Sequence, residues 1–390
     1  MDLELRTTPW RRQREEDAED AEDGPARSRP RLEDATLVED DVDPLVRDGD
    51  YYRADGDCIL RVEDTLFKIH RHLLCRGSSA FEGLFALPSD ADALLEGKDD
   101  ALPITLYGDK VSEIRAFLGY AYSSPLDLQY PRIPSGDIYS LIGTAKFAHK
   151  YRLESFETWA LDAISYVCSK RNSALLRTCA PELYFALLDL DLLCPLASVK
   201  KSIRAYWVQR LHTNTPGITL AFALETADRF RFRPLQGDVY YLLLQTLRDT
   251  PPGATNLMDA APLLPSELSD VHKLRLLMGF RSLSLAWGRV YAEPIALLKT
   301  DCTAHASVHE DVWAEQWRQA QAACPVPQGG NFVRLLLTFQ SSLHRNFALV
   351  PNPHNYPCIL ATLNQQFPAL IKSLRNTMAD HFLGTEVAEP

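Results

Sequence analysis

Two five-residue runs set the main constraint on what this chain can fold into. Cys58-Ile59-Leu60-Arg61-Val62 and Thr65-Leu66-Phe67-Lys68-Ile69 are β-prone, and the polar pair Glu63-Asp64 between them predicts a hairpin. A shorter strand signal comes later, at Pro103-Ile104-Thr105-Leu106. The segments around and after these strands carry apolar residues at helical spacing. Leu73-Leu74, Phe81, Leu84 and Phe85 read as helical core, with Ser78 or Ser79 as N-cap, and residues 88–102 read as an exposed loop. A helix is predicted over 110–122, with Val111, Ile114, Phe117, Leu118 and Ala121 on one face. Ser135 can cap the next one, over Ile138 to Ala148, and Glu154–Val167 forms a third.

From about residue 172 nearly every segment reads as helix: Pro181–Leu190, Pro195–Leu211, Leu220–Phe230, Gly237–Leu247, Ser266–Val290, Ser307–Ala323, Asn331–Arg345 and Pro357–Phe382. No fixed-period repeat joins them, which counts against a regular solenoid. The expected class is α+β: a domain with a short sheet and a helical cluster at 49–170, followed by a mostly α-helical region at 171–390.

Charge sets the N-terminus apart. Residues 1–50 hold eight Arg against seventeen Asp and Glu, which is −9 of the chain's −11 and leaves −2 for the other 340 residues. Dense charge and few apolar residues cannot repay the entropy of ordering, so residues 1–48 are expected to be disordered. Basic clusters at Arg11, Arg12, Arg14 and at Arg27, Arg29, Arg31 flank an acidic block, resembling a bipartite nuclear-import signal at 11–31. A nearly neutral body argues against direct nucleic-acid binding, which needs clustered Lys and Arg. The first 30 residues lack an apolar segment and no run of 18 apolar residues occurs, so neither a signal peptide nor a membrane span is expected. Eight irregularly spaced cysteines then fit a reduced, intracellular chain, nuclear or cytoplasmic.

Chemistry-bearing motifs are sparse. Cys302, His305 and His309 would share one helix face, with Cys324 following, but this order is not a standard zinc-finger spacing, and Trp313 and Trp317 nearby suggest packing. Whether the trio binds metal is open on spacing alone. No phosphate-cradling loop occurs among the 18 glycines. The expectation is no enzyme, no cofactor and no metal.

The residues from 57 onward resemble the BTB/POZ family. Asp57, then Ile59, Leu60 and Val62, then Phe67, Ile69, His70, Arg71, Leu73, Leu74, Ser78 and Phe81 stand in that family's order. The stretch 96–106 is similar to the loop and third strand of fungal BTB proteins. Phe117, Leu118 and Tyr120 to Tyr122, then Ala145, Tyr151, Leu153, Phe156 and Trp159, resemble the helices that close the domain. The departures are Ile69 before His70, Gly77 in the first helix step, a turn at Glu63-Asp64 without Gly, and a long loop at 88–102. His70 is expected to hydrogen-bond the start of the following helix.

The resemblance implies a protein–protein adaptor with protein partners. The implied options are a homodimer, docking on a cullin ubiquitin-ligase scaffold as a substrate adaptor, and recruitment of transcriptional regulators by a nuclear factor. By the same analogy, self-association would use Tyr51, Tyr52, Leu73 and Leu74, and cullin docking the helix at 110–122 and the loop after it. The helical remainder would bind a second partner.

Overall fold

A strand hidden from the sequence pattern opens the fold. β1 (Val46–Tyr52) runs parallel to β3 (Thr65–Ile69), β3 pairs antiparallel with β2 (Cys58–Val62), and β2 pairs in parallel with β4 (Ile104–Thr105), giving the order β1-β3-β2-β4. This computed structural model describes residues 45–75, 79–86, 96–124, 126, 128, 137–169, 174–246, 267–298, 308–324 and 331–385. The basic clusters at 11–31, most of the expected loop at 88–102, Gly77, Ser78, Ser135, Cys302 and His305 lie outside the described residues. The sequence of β1, VRDGDYY, is rich in Asp and Gly, which strands disfavour. The expected tail, drawn to residue 48, therefore overruns the start of β1 at Val46.

Two short helices, α1 (Arg71–Leu74) and α2 (Ser79–Phe85), precede β4, and α3 (Val111–Ala121) comes after it. The hairpin turn sits at Glu63-Asp64 as expected, with Glu63 at φ 53, a conformation that usually calls for glycine. The Glu63 carboxylate accepts the Val111 N–H at 3.2 Å, so it satisfies a free donor at the start of α3. In α2, Phe81 is buried and stacks on Tyr151 at 4.6 Å. Leu84, expected in the core, is 38% exposed, because the seven-residue α2 turns Phe81 and, in part, Phe85 inward and leaves Leu84 on its outer side.

Helices α4 (Ile138–Tyr151) and α5 (Glu154–Val167) join two hydrophobic cores. Phe147, Ala148 and Phe156 pack into the sheet core with Leu60, Phe67, Ile69 and Phe117. Leu141, Ile142, Ala145, Ala160, Ala163 and Ile164 pack the other way, into the helical core. Phe117 lies between Phe147 at 4.8 Å and Phe156 at 5.1 Å. The helical core is built by α6 (Ala174–Thr178), α7 (Pro181–Leu193), α8 (Ala197–His212), α9 (Leu220–Arg229), α10 (Arg233–Thr246), α11 (Asp270–Ala292), α12 (Val308–Ala323) and α13 (Phe332–Ala348). Aromatic pairs are its largest pieces, among them Tyr184 on Trp207 at 4.9 Å and Trp317 against Phe339 at 4.9 Å.

The sequence predicts one helix over 357–382, and the structure divides it into α14 (Pro357–Ala361), a π turn at Thr362–Gln366, α15 (Phe367–Asn376) and α16 (Met378–Leu383). Pro368 explains the first break. It has no N–H to give the carbonyl four residues back, and the helix widens ahead of it. The last piece, α16, seats against two helices at glycines. A Cβ on Gly237 of α10 would lie 2.6 Å from the Ala379 nitrogen, and one on Gly279 of α11 would overlap the Phe382 ring. Phe382 itself stacks on Tyr240 at 5.0 Å.

Gly279→Ala is therefore expected to drive Phe382 off Tyr240 and to cost about 1–3 kcal/mol in thermal or urea denaturation. Adding Phe382→Ala should cost less than the sum of the two single changes, because the first has already displaced the ring. Strict additivity would refute the close approach.

Candidate interaction surfaces

Asp48 shapes the first surface. It is the one buried residue of β1, in a strand whose register with β3 shifts between Arg47 and Tyr52. Its Oδ1 accepts the N–H groups of Asp50 at 3.0 Å and Tyr51 at 2.9 Å, and its Oδ2 accepts Arg115 Nε from α3 at 2.6 Å. The amides it captures are withdrawn from the ladder, so the strand bulges there. Burial alone would raise this carboxyl. The Arg115 guanidinium and the two amides outweigh burial and hold it below the usual carboxylate value.

The bulge presents two tyrosines. Tyr51 stacks on Tyr122 with ring centroids 6.1 Å apart. The Arg53 guanidinium lies 4.9 Å above the Tyr122 ring. Tyr52 donates its hydroxyl hydrogen to Asp100, and Arg47 lies 4.7 Å over the Tyr52 ring while bonding the same carboxylate. Both tyrosines are half-buried. His70 bonds the start of α1 as expected, through its backbone carbonyl, which accepts the Leu73 N–H at 3.1 Å, and its ring points elsewhere. Its Nδ1 lies 2.8 Å from the Tyr122 hydroxyl, whereas the N–H of Arg71, at the start of α1, is accepted by Asp57 at 2.7 Å. Tyr51, Arg53, His70, His72 and Tyr122 thus form one aromatic and basic face, while Tyr52 lies apart from it with Arg47 and Asp100.

Leu73 and Leu74 are not part of that face. They are 4% and 0% exposed, because α1 is a single turn whose apolar pair closes over the sheet core. A substitution at either would test folding before it tested binding.

A groove of about 430 Å³ lies at the opposite edge of the sheet, lined by Phe81 and Leu84 of α2, Ile104 of β4, Tyr107, Lys150 and Tyr151. Lys150 Nζ and the Tyr151 hydroxyl both donate to the buried Asp109 carboxylate, at 2.6 and 2.5 Å. Tyr107 is 83% exposed.

The third surface is on α11. Val271, Leu274, Met278 and Leu285 are exposed at spacings of three, four and seven, the interval of a coiled-coil seam. Leu276, Gly279, Leu283 and Trp287 face the core from the other side of the same helix. Apolar residues on both faces were the available sequence signal, and helical periodicity alone does not say which face is covered.

Of the Cys and His residues singled out by spacing, His309 is buried, its Nδ1 3.0 Å from Cys358 Sγ and its ring 4.8 Å from that of Tyr356. Cys324 is buried at the end of α12. Burial pushes the Cys58 thiol up to about 11 and Cys168 up to about 12, and also raises Cys75, Cys179 and Cys324. These are protonated thiols, poor nucleophiles at neutral pH. Among the described residues no helix is long and apolar enough to cross a membrane.

Residues 51–160 match the BTB/POZ domain family. No curated protein and no solved structure matches the chain.

Asp48→Asn should cost about 1.5–3 kcal/mol at neutral pH, the range for a hydrogen bond to a charged group. Because the native pKa is depressed, the contribution is fully present above the ordinary carboxylate pKa and is lost as pH falls through the native value. The two proteins should therefore converge in stability in strong acid. An undiminished gap at acid pH would show that the charge is not what holds the bulge.

Proposed function

With a BTB/POZ domain at residues 51–160 as the premise, we propose that this chain is a protein–protein adaptor with no catalysis of its own. It joins itself through the face around Tyr51 and Tyr122, with Tyr52 beside it on the same strand, and offers α11 to a second protein. The family match carries the reading, since a BTB/POZ domain is a protein-interaction module. Two features support it. The face around Tyr51 and Tyr122 combines aromatic rings with Arg53, the residue types enriched at interface hot spots. The α11 stripe is a row of bare apolar side chains of the kind that marks interaction sites.

Finer alternatives arise from the same domain. Docking on a cullin scaffold would use α3 and the residues after it. A nuclear regulatory role would need the basic clusters at 11–31. Neither has a specific observation favouring it over self-association.

Light scattering of the full chain over a concentration series tests the proposal. The expected result is a dimer that dissociates on dilution. Arg53→Glu combined with His72→Glu, both at exposed positions, should weaken it roughly tenfold, about 1.4 kcal/mol. Leu274→Glu with Met278→Glu should leave it unchanged. A monomer at every concentration would sink self-association.

A further inference from the structure

Three side chains of metal-ligand type converge where the two cores meet. His149 stands in the last turn of α4, Glu157 in the first turn of α5, and Cys194 at the C-terminal end of α7. His149 Nδ1 is 3.0 Å from Glu157 Oε1, Cys194 Sγ is 3.4 Å from that same oxygen, and the three ligand atoms all lie within 4.8 Å of one another. Among the described residues they form the one such group.

The backbone holds them there. Arg152, at φ 55, turns the chain between α4 and α5, with the Leu153 N–H bonded to the Ala148 carbonyl at 2.8 Å, which sets His149 opposite Glu157. The Cys194 N–H is bonded to the Leu190 carbonyl at 2.8 Å, and Asp191 accepts the Leu196 N–H at 2.8 Å, so the end of α7 is pinned as well.

The spacing suits a tetrahedral ion. Zinc bonds of about 2.0–2.3 Å to nitrogen, oxygen and sulfur place ligand atoms roughly 3.3–3.8 Å apart. The pairs at 3.0 and 3.4 Å need only a few tenths of an ångström of opening, and the His149–Cys194 pair, within 4.8 Å, needs at most about 1 Å of closing. Charge points the same way. A Cys194 thiolate 3.4 Å from the Glu157 carboxylate is unfavourable without a cation between them. A divalent ion neutralises both and leaves the imidazole neutral. A thiolate, an imidazole and one carboxylate select zinc over the hard ions magnesium and calcium. The His149 side chain is 42% exposed, so the fourth position can be filled by water.

We propose that His149, Glu157 and Cys194 form a zinc site that clamps the last two helices of the sheet core to α7 of the helical core. On binding, Cys194 releases its thiol proton to solvent and coordinates through sulfur, His149 coordinates through Nδ1, and Glu157 through one oxygen. The clamp does not depend on the adaptor reading.

Cobalt(II) is the probe. The full chain, stripped with a chelator and kept reduced, is titrated with cobalt(II) and followed by absorption. One equivalent should produce a near-ultraviolet thiolate-to-cobalt band with the visible bands of a four-coordinate ion, and zinc should displace it. Cys194→Ser should abolish the thiolate band, and Cys75→Ser should keep it. His149→Ala changes an exposed residue, so the fold survives, and it should weaken binding at least tenfold. Circular dichroism checks that each variant is folded, and if Cys194→Ser is not, His149→Ala decides. No thiolate band in the wild-type protein up to millimolar cobalt(II), or equal affinity in His149→Ala, would overturn the proposal.

Discussion

The structure depends on one helix having two partners. α4 sends Leu141, Ile142 and Ala145 into the helical core and Phe147 and Ala148 into the sheet core, and α5 repeats the division with Ile164 and Phe156. A four-stranded sheet with short helices can bury little apolar surface alone, and the helical region lacks a covering layer on that side. Each core closes on the faces of α4 and α5 that the other leaves free. From Leu45 onward the chain accordingly forms one compact unit. Cutting after residue 170 would bare Leu141, Ile142, Ala160 and Ile164, so the sheet part and the helices are energetically tied although the family match ends at residue 160.

On this frame polar groups are spent locally and for definite purposes. Asp48 gives up one stretch of β-ladder to hold a bulge, and the bulge brings Tyr51 onto Tyr122. Glu63 takes a strained turn conformation and caps α3 with the same side chain. Asp109 gathers Lys150 and Tyr151 at the rim of the β4 groove. In each case a carboxylate joins two elements far apart in sequence. The proposed zinc clamp has the same pattern, with Glu157 between His149 and Cys194.

The hairpin, the strand at Ile104 and the helices at 110–122, 138–148 and 154–167 were legible because their apolar periods are regular and their turns carry polar residues or proline. β1 was not, because VRDGDYY has neither period. It is a strand only because β3 offers it a parallel edge and its buried Asp48 finds a cation, Arg115, on α3. Leu73 and Leu74 were readable as apolar but not as inaccessible, since burial depends on what closes over a four-residue helix. The His149, Glu157 and Cys194 cluster gave no sequence signal at all. Its members stand 8 and 37 residues apart, and no motif spans that interval.

By itself the sequence determined the α+β class, the order of elements from residue 58 to 167, the resemblance to the BTB/POZ family and the helical character of the chain beyond residue 171. Those features are local, encoded in side-chain period and turn chemistry within windows of about a dozen residues. Tertiary structure alone decided which face of each helix is covered, where β1 begins, that α4 serves two cores, that α11 leaves Leu274 and Met278 bare, and which side chains meet at the end of α7. Each of these is a contact between residues distant in the chain. Such contacts are set by the competition of all apolar faces for a limited interior, and no short window records that competition.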